Sequence, residues 1–211
     1  MKNPTVHLDM ADVVVERPFT HPDHVCLDRA AVCRLIDELC WEMETLPPTA
    51  NDSITTYFPH STNWQKRMVI PNPSRLMNPK PLAIVGFFGC VRRTIPPAIK
   101  QQIAEGDKQL LDNFAHFPAV LAYSSRMLPD ELNFANLVVL NSEDAIMKWR
   151  DYPPHPYLTD VVSPDFYEYV RIYNGRLPSG GLQNSSLLQF VRVKYWDYRV
   201  SPTWRAVRLL Q

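Results

Sequence analysis

The sequence has little glycine: 6 glycines stand against 20 prolines in 211 residues. Typical globular chains contain about 7% glycine and about 5% proline, so this chain builds its turns from rigid residues. Net charge is also lacking, because 22 basic residues balance 22 acidic residues. That balance removes the broad positive field that binding to nucleic acids or acidic membranes normally needs. We therefore expect no nucleic-acid partner and no membrane partner.

Long hydrophobic runs are missing as well. The longest apolar stretches, such as Leu82 to Cys90, are far shorter than the roughly 20 residues of a membrane-spanning helix. The first nine residues contain early polar and acidic side chains and no apolar run of signal-peptide length. These features predict a cytoplasmic protein.

Sequence motifs that identify a reaction are absent, and so are motifs typical of metal sites. No G-x-G-x-x-G and no G-x-S-x-G occurs. Cys26, Cys33 and Cys40 recur every seven residues, about 10.5 Å apart in a helix, which is too far for a disulfide or a shared metal ion. His21 and His24 have a His-x-x-His spacing, but Pro22 argues against a helix there. We predict no metal site.

The hydrophobic pattern divides the chain into two parts. Residues 1–80 read as an N-terminal extension with one amphipathic helix, from Asp28 as its N-cap to Leu46, packed on the main domain. A short β-like run precedes that helix at Asp12 to Glu16. Residues 47–80 are rich in Pro, Asn, Ser and Thr and predict no regular element. Residues 81–211 form the predicted main domain.

The main domain predicts a defined order of elements. A strand from Leu82 to Val91 precedes a helix that contains an interior glycine, Gly106, and a hairpin follows from Val120 to Leu140 with its turn at Pro129 and Asp130. A second helix and a strand from Phe166 to Tyr173 complete a β-α-β-β-α-β order. That order predicts the α+β class, with a ferredoxin-like antiparallel sheet. Residues 187–210 predict an added C-terminal β-hairpin.

This main domain resembles the dimeric α+β barrel superfamily, which includes the antibiotic-biosynthesis monooxygenases. The resemblance covers about 90 residues, and its features are the hairpin from Ala119 to Leu140, a short helix with Trp149, the Pro-bounded His155, and the aromatic strand around Tyr169. It implies a homodimer and a ligand cavity between the sheet and its helices or within the barrel. Members of the superfamily include cofactor-independent oxygenases and haem-binding enzymes, and the fold alone does not choose between them.

Three residues are the candidates for catalysis. His155 is a possible acid or base held by flanking prolines. Tyr167 and Arg171 lie at alternate positions of one strand, with Tyr169 and Tyr173, and alternation predicts that all four share one face. That face would contact a ligand, form a subunit interface or be plain surface. The predicted substrate-binding residues are Asn136, Tyr123, Trp149, Tyr169 and Phe88.

The leading hypothesis is an enzyme of specialised metabolism that binds an apolar or aromatic substrate in a barrel cavity and needs no cofactor. A haem-dependent enzyme, with His155 or His116 as axial ligand, and a non-catalytic binding or assembly module remain alternatives. The enzyme hypothesis predicts that the largest pocket contains His155, Tyr167, Arg171 or Asn136.

Overall fold

A computed structural model of the chain describes residues 4–45, 54–59, 65–77, 80–128, 133–179 and 181–210. Its main feature is one sheet with nine strands. The strands are β1 (Val6–Leu8), β2 (Ile54–Pro59), β3 (Gln65–Ile70), β4 (Leu82–Val91), β5 (Val120–Met127), β6 (Asn133–Leu140), β7 (Tyr167–Leu177), β8 (Gln189–Asp197) and β9 (Trp204–Leu209).

Six α-helical segments accompany the sheet in the described part of the chain. They are α1 (Asp23–Thr45), α2 (Pro73–Leu76), α3 (Pro97–Asp112), α4 (Glu143–Arg150), α5 (His155–Tyr157) and α6 (Ser163–Phe166). One turn of π-helix, Leu158–Val162, connects α5 to α6. Within these described ranges, no helix has the length and apolar composition needed to cross a membrane.

The strands lie in the order β1-β9-β8-β7-β4-β6-β5-β3-β2. Neighbouring strands are antiparallel, except that β1 runs parallel to β9. The predicted α+β class is therefore confirmed. The predicted C-terminal hairpin corresponds to β8 and β9, and these strands extend the same sheet beyond β7.

Helix α1 covers one face of the sheet, which we call the α1 face. Its residues Val32, Leu35, Ile36 and Leu39 recur at three- and four-residue steps and are all buried in the main core. The helix lies close to the strands because Gly86 of β4 has no side chain: a Cβ there would be 3.0 Å from Val32. The sheet face that a barrel-type dimer would pair is thus covered by the chain's own helix.

Helices α3 and α4 lie over the opposite face, which we call the α3 face. A second core forms there, where Phe114 and Trp149 pack against Val138 and Leu140. Helix α4 begins with a capped turn, because the Ser142 hydroxyl accepts a hydrogen bond from the Ala145 amide at 3.3 Å. The sheet is therefore sandwiched between one long helix and several shorter helices.

The extension contains more strands than the sequence pattern predicts. Within residues 47–80, which predicted no regular element, β2 and β3 pair as antiparallel strands and β3 joins the edge of the sheet at β5. β-Branched residues at 54–56 and 69–70 suit strands, but the neighbouring Pro, Asn and Ser residues conceal them. The predicted turn at Pro129 and Asp130, and the end of the first helix at Leu46, lie outside the described residues.

Two further expectations for the extension are wrong. The run at Asp12 to Glu16 is not a strand, and the strand β1 lies earlier, at Val6–Leu8. Helix α1 begins at Asp23, so Asp28 is not its N-cap. Asp28 lies one turn inside the helix, where its carboxylate binds the buried Arg171 of β7.

Gly106 marks the contact between α3 and the segment that follows α5. In an exposed helix, replacing glycine by alanine stabilises the helix by about 1 kcal/mol. Here a Cβ at Gly106 would overlap Cδ2 of Leu158 and lie 3.0 Å from its Cγ, and Leu158 is itself buried.

We expect Gly106→Ala to lower the free energy of unfolding by about 1–3 kcal/mol, because the added methyl overpacks this contact. Urea denaturation measures the change. In a Leu158→Ala background the same substitution should become neutral or stabilising. A stabilising effect in the native background would contradict the close packing of α3 on Leu158.

Candidate functional site

Two grooves lie at the end of the sheet where β4 begins. Lys80, Pro81, Leu82 and Asn141 line both of them. Their volumes are about 310 Å³ and 500 Å³, and neither is lined by any of the eight predicted site residues. The expectation that the largest pocket holds His155, Tyr167, Arg171 or Asn136 is thus not met by these grooves.

His155 and Trp149 lie together at the outer end of the α3 face. The two rings are 5.6 Å apart between centroids, and His155 Nδ1 lies 3.2 Å from the carbonyl oxygen of Arg150. Trp149 is buried against Phe114 and Phe117. Trp149 is therefore part of the core, and His155 closes the loop that follows α4.

Burial lowers the pKa of His155 below its ordinary value of 6.5. A histidine with a lowered pKa in the folded state loses stability as the pH falls, because the unfolded state binds the proton more readily. We expect His155→Gln to flatten the pH dependence of unfolding as the pH falls below 6.5. Thermal unfolding at half-unit pH steps measures this difference. An unchanged slope would contradict the burial of the imidazole.

Arg171, Tyr169 and Phe88 lie on the α1 face, away from His155. Arg171 is 8% exposed and donates from Nε and Nη2 to the carboxylate of Asp28, at 2.6 Å and 2.9 Å. Tyr169 stacks on Phe19, with ring centroids 4.4 Å apart. These residues therefore join α1 and the preceding segment to the sheet, and the Nε and Nη2 groups of Arg171 are bound to Asp28.

Tyr167 lies on the opposite face from Tyr169, which corrects the expectation that the four alternating residues share one face. The register between β4 and β7 shifts at Cys90 and Val91: Tyr169 pairs with Cys90, and Tyr167 pairs with Val91. This bulge places one extra residue, Glu168, in β7 and reverses the alternation. A sequence pattern of period two cannot reveal such an insertion.

Tyr167 packs over a glycine on the α3 face. A Cβ at Gly89 would lie 2.5 Å from the Tyr167 ring. Phe87 is on the same side, with its ring centroid 5.4 Å from that of Tyr167. The two glycines of β4 therefore admit side chains of this chain, Val32 over Gly86 and Tyr167 over Gly89.

An ion pair connects α3 to the sheet beside these aromatic rings. Arg67 of β3 donates to both carboxylate oxygens of Asp107 on α3, at 2.6 Å and 2.9 Å. Its guanidinium carbon lies 5.4 Å from the ring centroid of Tyr123. Hydrogen bonds to Asp107 raise the pKa of Arg67 although burial opposes the shift. Arg67 is therefore a permanent cation at this point.

Asn136 belongs to the same group of residues. Arg67 of β3 pairs with Ser125 of β5, and Ser125 pairs with Asn136 of β6. Asn136 in turn pairs with Phe87 of β4. Residues paired in this way share a face. We call the set on the α3 face the Arg67 cluster; it comprises Arg67, Asp107, Tyr123, Asn136, Phe87 and Tyr167. It contains three of the eight predicted residues.

Two polar atoms of the Arg67 cluster are buried without a hydrogen-bond partner among the described residues. They are Nε of Arg67, a donor, and Oδ1 of Asn136, an acceptor. A buried group without a partner costs about 1–3 kcal/mol, so such atoms usually contact water or a ligand. Arg67 Nε can bind a ligand group that accepts a hydrogen bond, and Asn136 Oδ1 can bind a group that donates one.

The cover over the Arg67 cluster is incomplete. In α3, Gly106 alone is buried, and the apolar residues Ile99, Ile103, Leu110 and Leu111 are half-buried. Phe87 and Asn136 are half-buried too. Part of each of these side chains is therefore accessible to solvent, although the two unpartnered polar atoms are buried.

The tyrosines of the cluster are neutral hydrogen-bonding groups. Burial raises the pKa of Tyr123 and that of Tyr167 above the ordinary value for a phenol. The nearby carboxylate of Asp107 raises both further, and it is itself bound to Arg67. At neutral pH the cluster therefore offers phenol and guanidinium donors and an amide acceptor.

Sequence reasoning did not identify Arg67, Asp107 or Phe87. Arg67 and Asp107 are 40 residues apart. Arg67 lies in a segment for which no strand was predicted, and Asp107 lies in a predicted helix. The sequence did offer a way to identify Phe87. Phe87 and Phe88 are adjacent in a strand, so the two side chains must face opposite sides of the sheet.

Comparison with known proteins leaves the family open. No protein-family model, curated protein or solved structure matches the chain. The described residues also contain no group of three or more His, Cys, Asp or Glu side chains that could hold a metal ion. Function must therefore be inferred from the geometry of the site.

Proposed function

We propose that β4, α3, β5, β6, α4 and β7 form a ferredoxin-like βαββαβ unit. Two observations support this: the four strands lie in the order β7-β4-β6-β5, and each neighbouring pair is antiparallel. Helix α1 covers the face that pairs in dimeric barrels, which argues against a homodimer of that type. The likeness to the barrel superfamily would then concern the layer between the sheet and α3.

We propose that the protein binds an aromatic or apolar small molecule in this layer. The observation that carries the proposal is two buried atoms without a hydrogen-bond partner among the described residues, Nε of Arg67 and Oδ1 of Asn136. The Arg67 guanidinium lies near the Tyr123 ring, and Asn136 pairs with Phe87 in the sheet. Ligand sites are mainly apolar, with a few placed polar groups that fix orientation. A ring system with one hydroxyl or carbonyl matches this composition.

The geometry favours binding over proton-transfer catalysis. Tyr167 is a neutral phenol with a raised pKa, so it can donate a hydrogen bond or act as a weak acid. The carboxylate of Asp107 is bound at both oxygens by Arg67, so it is a poor base. The cofactor-independent, monooxygenase-like activity stays a prediction, with Tyr167 as its candidate acid and without a role for His155 or Arg171.

The alternative of a haem-dependent enzyme has less support than the binding of a small molecule, because of where the two candidate axial histidines lie. An axial histidine needs a free ring nitrogen that faces a wide apolar slot. His155 packs against Trp149 with its Nδ1 at a backbone carbonyl, which leaves Nε2 as the nitrogen that would ligate iron. His116 is exposed at the end of a short 3₁₀ helix. Neither histidine lines one of the two grooves.

Binding of 2-naphthol, a flat ring system with one hydroxyl, tests the proposal. We expect the native protein to bind it, and we expect Asn136→Leu to weaken binding about tenfold because the hydroxyl loses its acceptor. Tyr157→Phe is a suitable control, since Tyr157 is 49% exposed and lies outside the cluster. Isothermal titration calorimetry measures both affinities. No binding, or equal binding by the Asn136→Leu variant, would contradict the proposal.

A further inference from the structure

A row of half-buried side chains extends from the Arg67 cluster across the α3 face. The register pairs Phe87 with Ile172, Ile172 with Lys194, and Lys194 with Val207. Each of these four side chains is half-buried. Neighbouring strands are about 4.8 Å apart, so the Cα atoms of Phe87 and Lys194 lie about 10 Å apart. A ligand that covers Phe87 is therefore within reach of the Lys194 ammonium group.

Lys194 is a cation that lies near two other cations, Arg192 and Arg150. Burial lowers its pKa, and Arg192 and Arg150 lower it further. Among the described residues, no carboxylate forms an ion pair or hydrogen bond with Lys194. A half-buried ammonium group beside two guanidinium groups destabilises the protein unless an anion compensates it.

Two acidic residues of the segment between α4 and α6, Asp151 and Asp160, pair with arginines. Asp151 forms a chelating pair with Arg150, at 2.8 Å and 3.1 Å. Asp160 lies 4.0 Å from Arg205. Arg192 donates from Nε to the side chain of Asn174, which is neutral. The compensating anion for Lys194 is therefore not supplied by these side chains.

We propose that the ligand of the Arg67 cluster is an aromatic acid whose carboxylate binds Lys194 and Arg192. This inference rests on the proposed function, because the ring system of the acid would lie on Phe87 and Ile172. The end of the acid opposite its carboxylate would reach Asn136, one strand beyond Phe87. The Cα atoms of Asn136 and Lys194 are separated by three strand spacings, about 14 Å. Two or three fused rings with a polar group at each end fit this span.

The experiment compares two probes, 6-hydroxy-2-naphthoate and 2-naphthol, which differ by one carboxylate. We expect the native protein to bind the acid about tenfold more tightly than the naphthol at low salt. Lys194→Met should abolish this preference and leave the affinity for 2-naphthol unchanged. Lys148→Met is the matched control, because Lys148 is exposed on α4, and it should keep the preference for the acid.

The unliganded protein provides a second measurement. Because Lys194 pairs with no carboxylate in the part of the chain that the structure describes, Lys194→Met should raise the melting temperature, whereas replacement of a lysine with a structural role would lower it. Equal binding of the two probes, or a lower melting temperature for Lys194→Met, overturns the inference about the aromatic acid. The proposed function still holds in that case if 2-naphthol binds. Failure of both probes to bind overturns the proposed function itself.

Discussion

Replacing Asp28 by leucine is expected to lower the free energy of unfolding by about 3–5 kcal/mol. Asp28 and Arg171 are 5% and 8% exposed, and two hydrogen bonds of 2.6 Å and 2.9 Å join them. Without the carboxylate, the guanidinium stays charged in a core beside Phe88 and Tyr173. The cost is that of a buried charge left without its partner.

Urea denaturation at pH 7 measures this loss, and calorimetry should show a melting temperature lower by about 10 °C for a chain of this size. The double variant Asp28→Leu with Arg171→Met should recover most of the stability, because it removes both charges and keeps similar volumes. Asp112→Ala breaks an exposed pair with Lys108 and should change nothing measurable. A single variant at Asp28 as stable as the native protein would contradict the buried ion pair.

The parts of the fold that follow local periodicity are predictable from the sequence. The three- and four-residue steps of Val32, Leu35, Ile36 and Leu39 predict the helix whose apolar side covers the sheet. The runs from Leu82 to Val91 and from Val120 to Leu140 predict strands for the same reason. Each pattern covers one continuous segment, so no distant partner is needed to interpret it.

The position of α1 is not predictable in this way. Asp28 and Arg171 are 143 residues apart, and a carboxylate near a helix start is equally typical of an N-cap. In the structure Asp28 pairs with a buried arginine instead, and the helix begins five residues earlier, at Asp23.

The candidate site depends on a register shift that composition does not reveal. The bulge at Glu168 moves Tyr167 to the α3 face, whereas Tyr169 and Arg171 stay on the α1 face. The residue types of the site, aromatic rings with a few polar groups, were foreseeable. Their division between the two faces was not, because it requires knowledge of how β7 pairs with β4.

Arg208 is the second residue whose replacement should have a large effect. It is fully buried, at 0% exposure, and binds four oxygen atoms. Three of them are the carbonyl oxygens of Asp9, Asp12 and Thr20, and the fourth is the hydroxyl of Tyr195. These hydrogen bonds join β9 to the segment that precedes α1.

We expect Arg208→Leu to lower the free energy of unfolding by about 3 kcal/mol. The four oxygen atoms lose hydrogen bonds from a charged donor, each of which contributes about 1.5–3 kcal/mol. Part of this loss is offset because the variant no longer buries a cation. Arg208→Lys should also destabilise the protein, since an ammonium group lacks the planar fork that reaches several carbonyls at once. Hydrogen exchange should show faster exchange at residues 9–20 in both variants, before global unfolding. Native protection of that segment in Arg208→Leu would mean that its position is held by Phe19 packing on Tyr169 and not by the guanidinium.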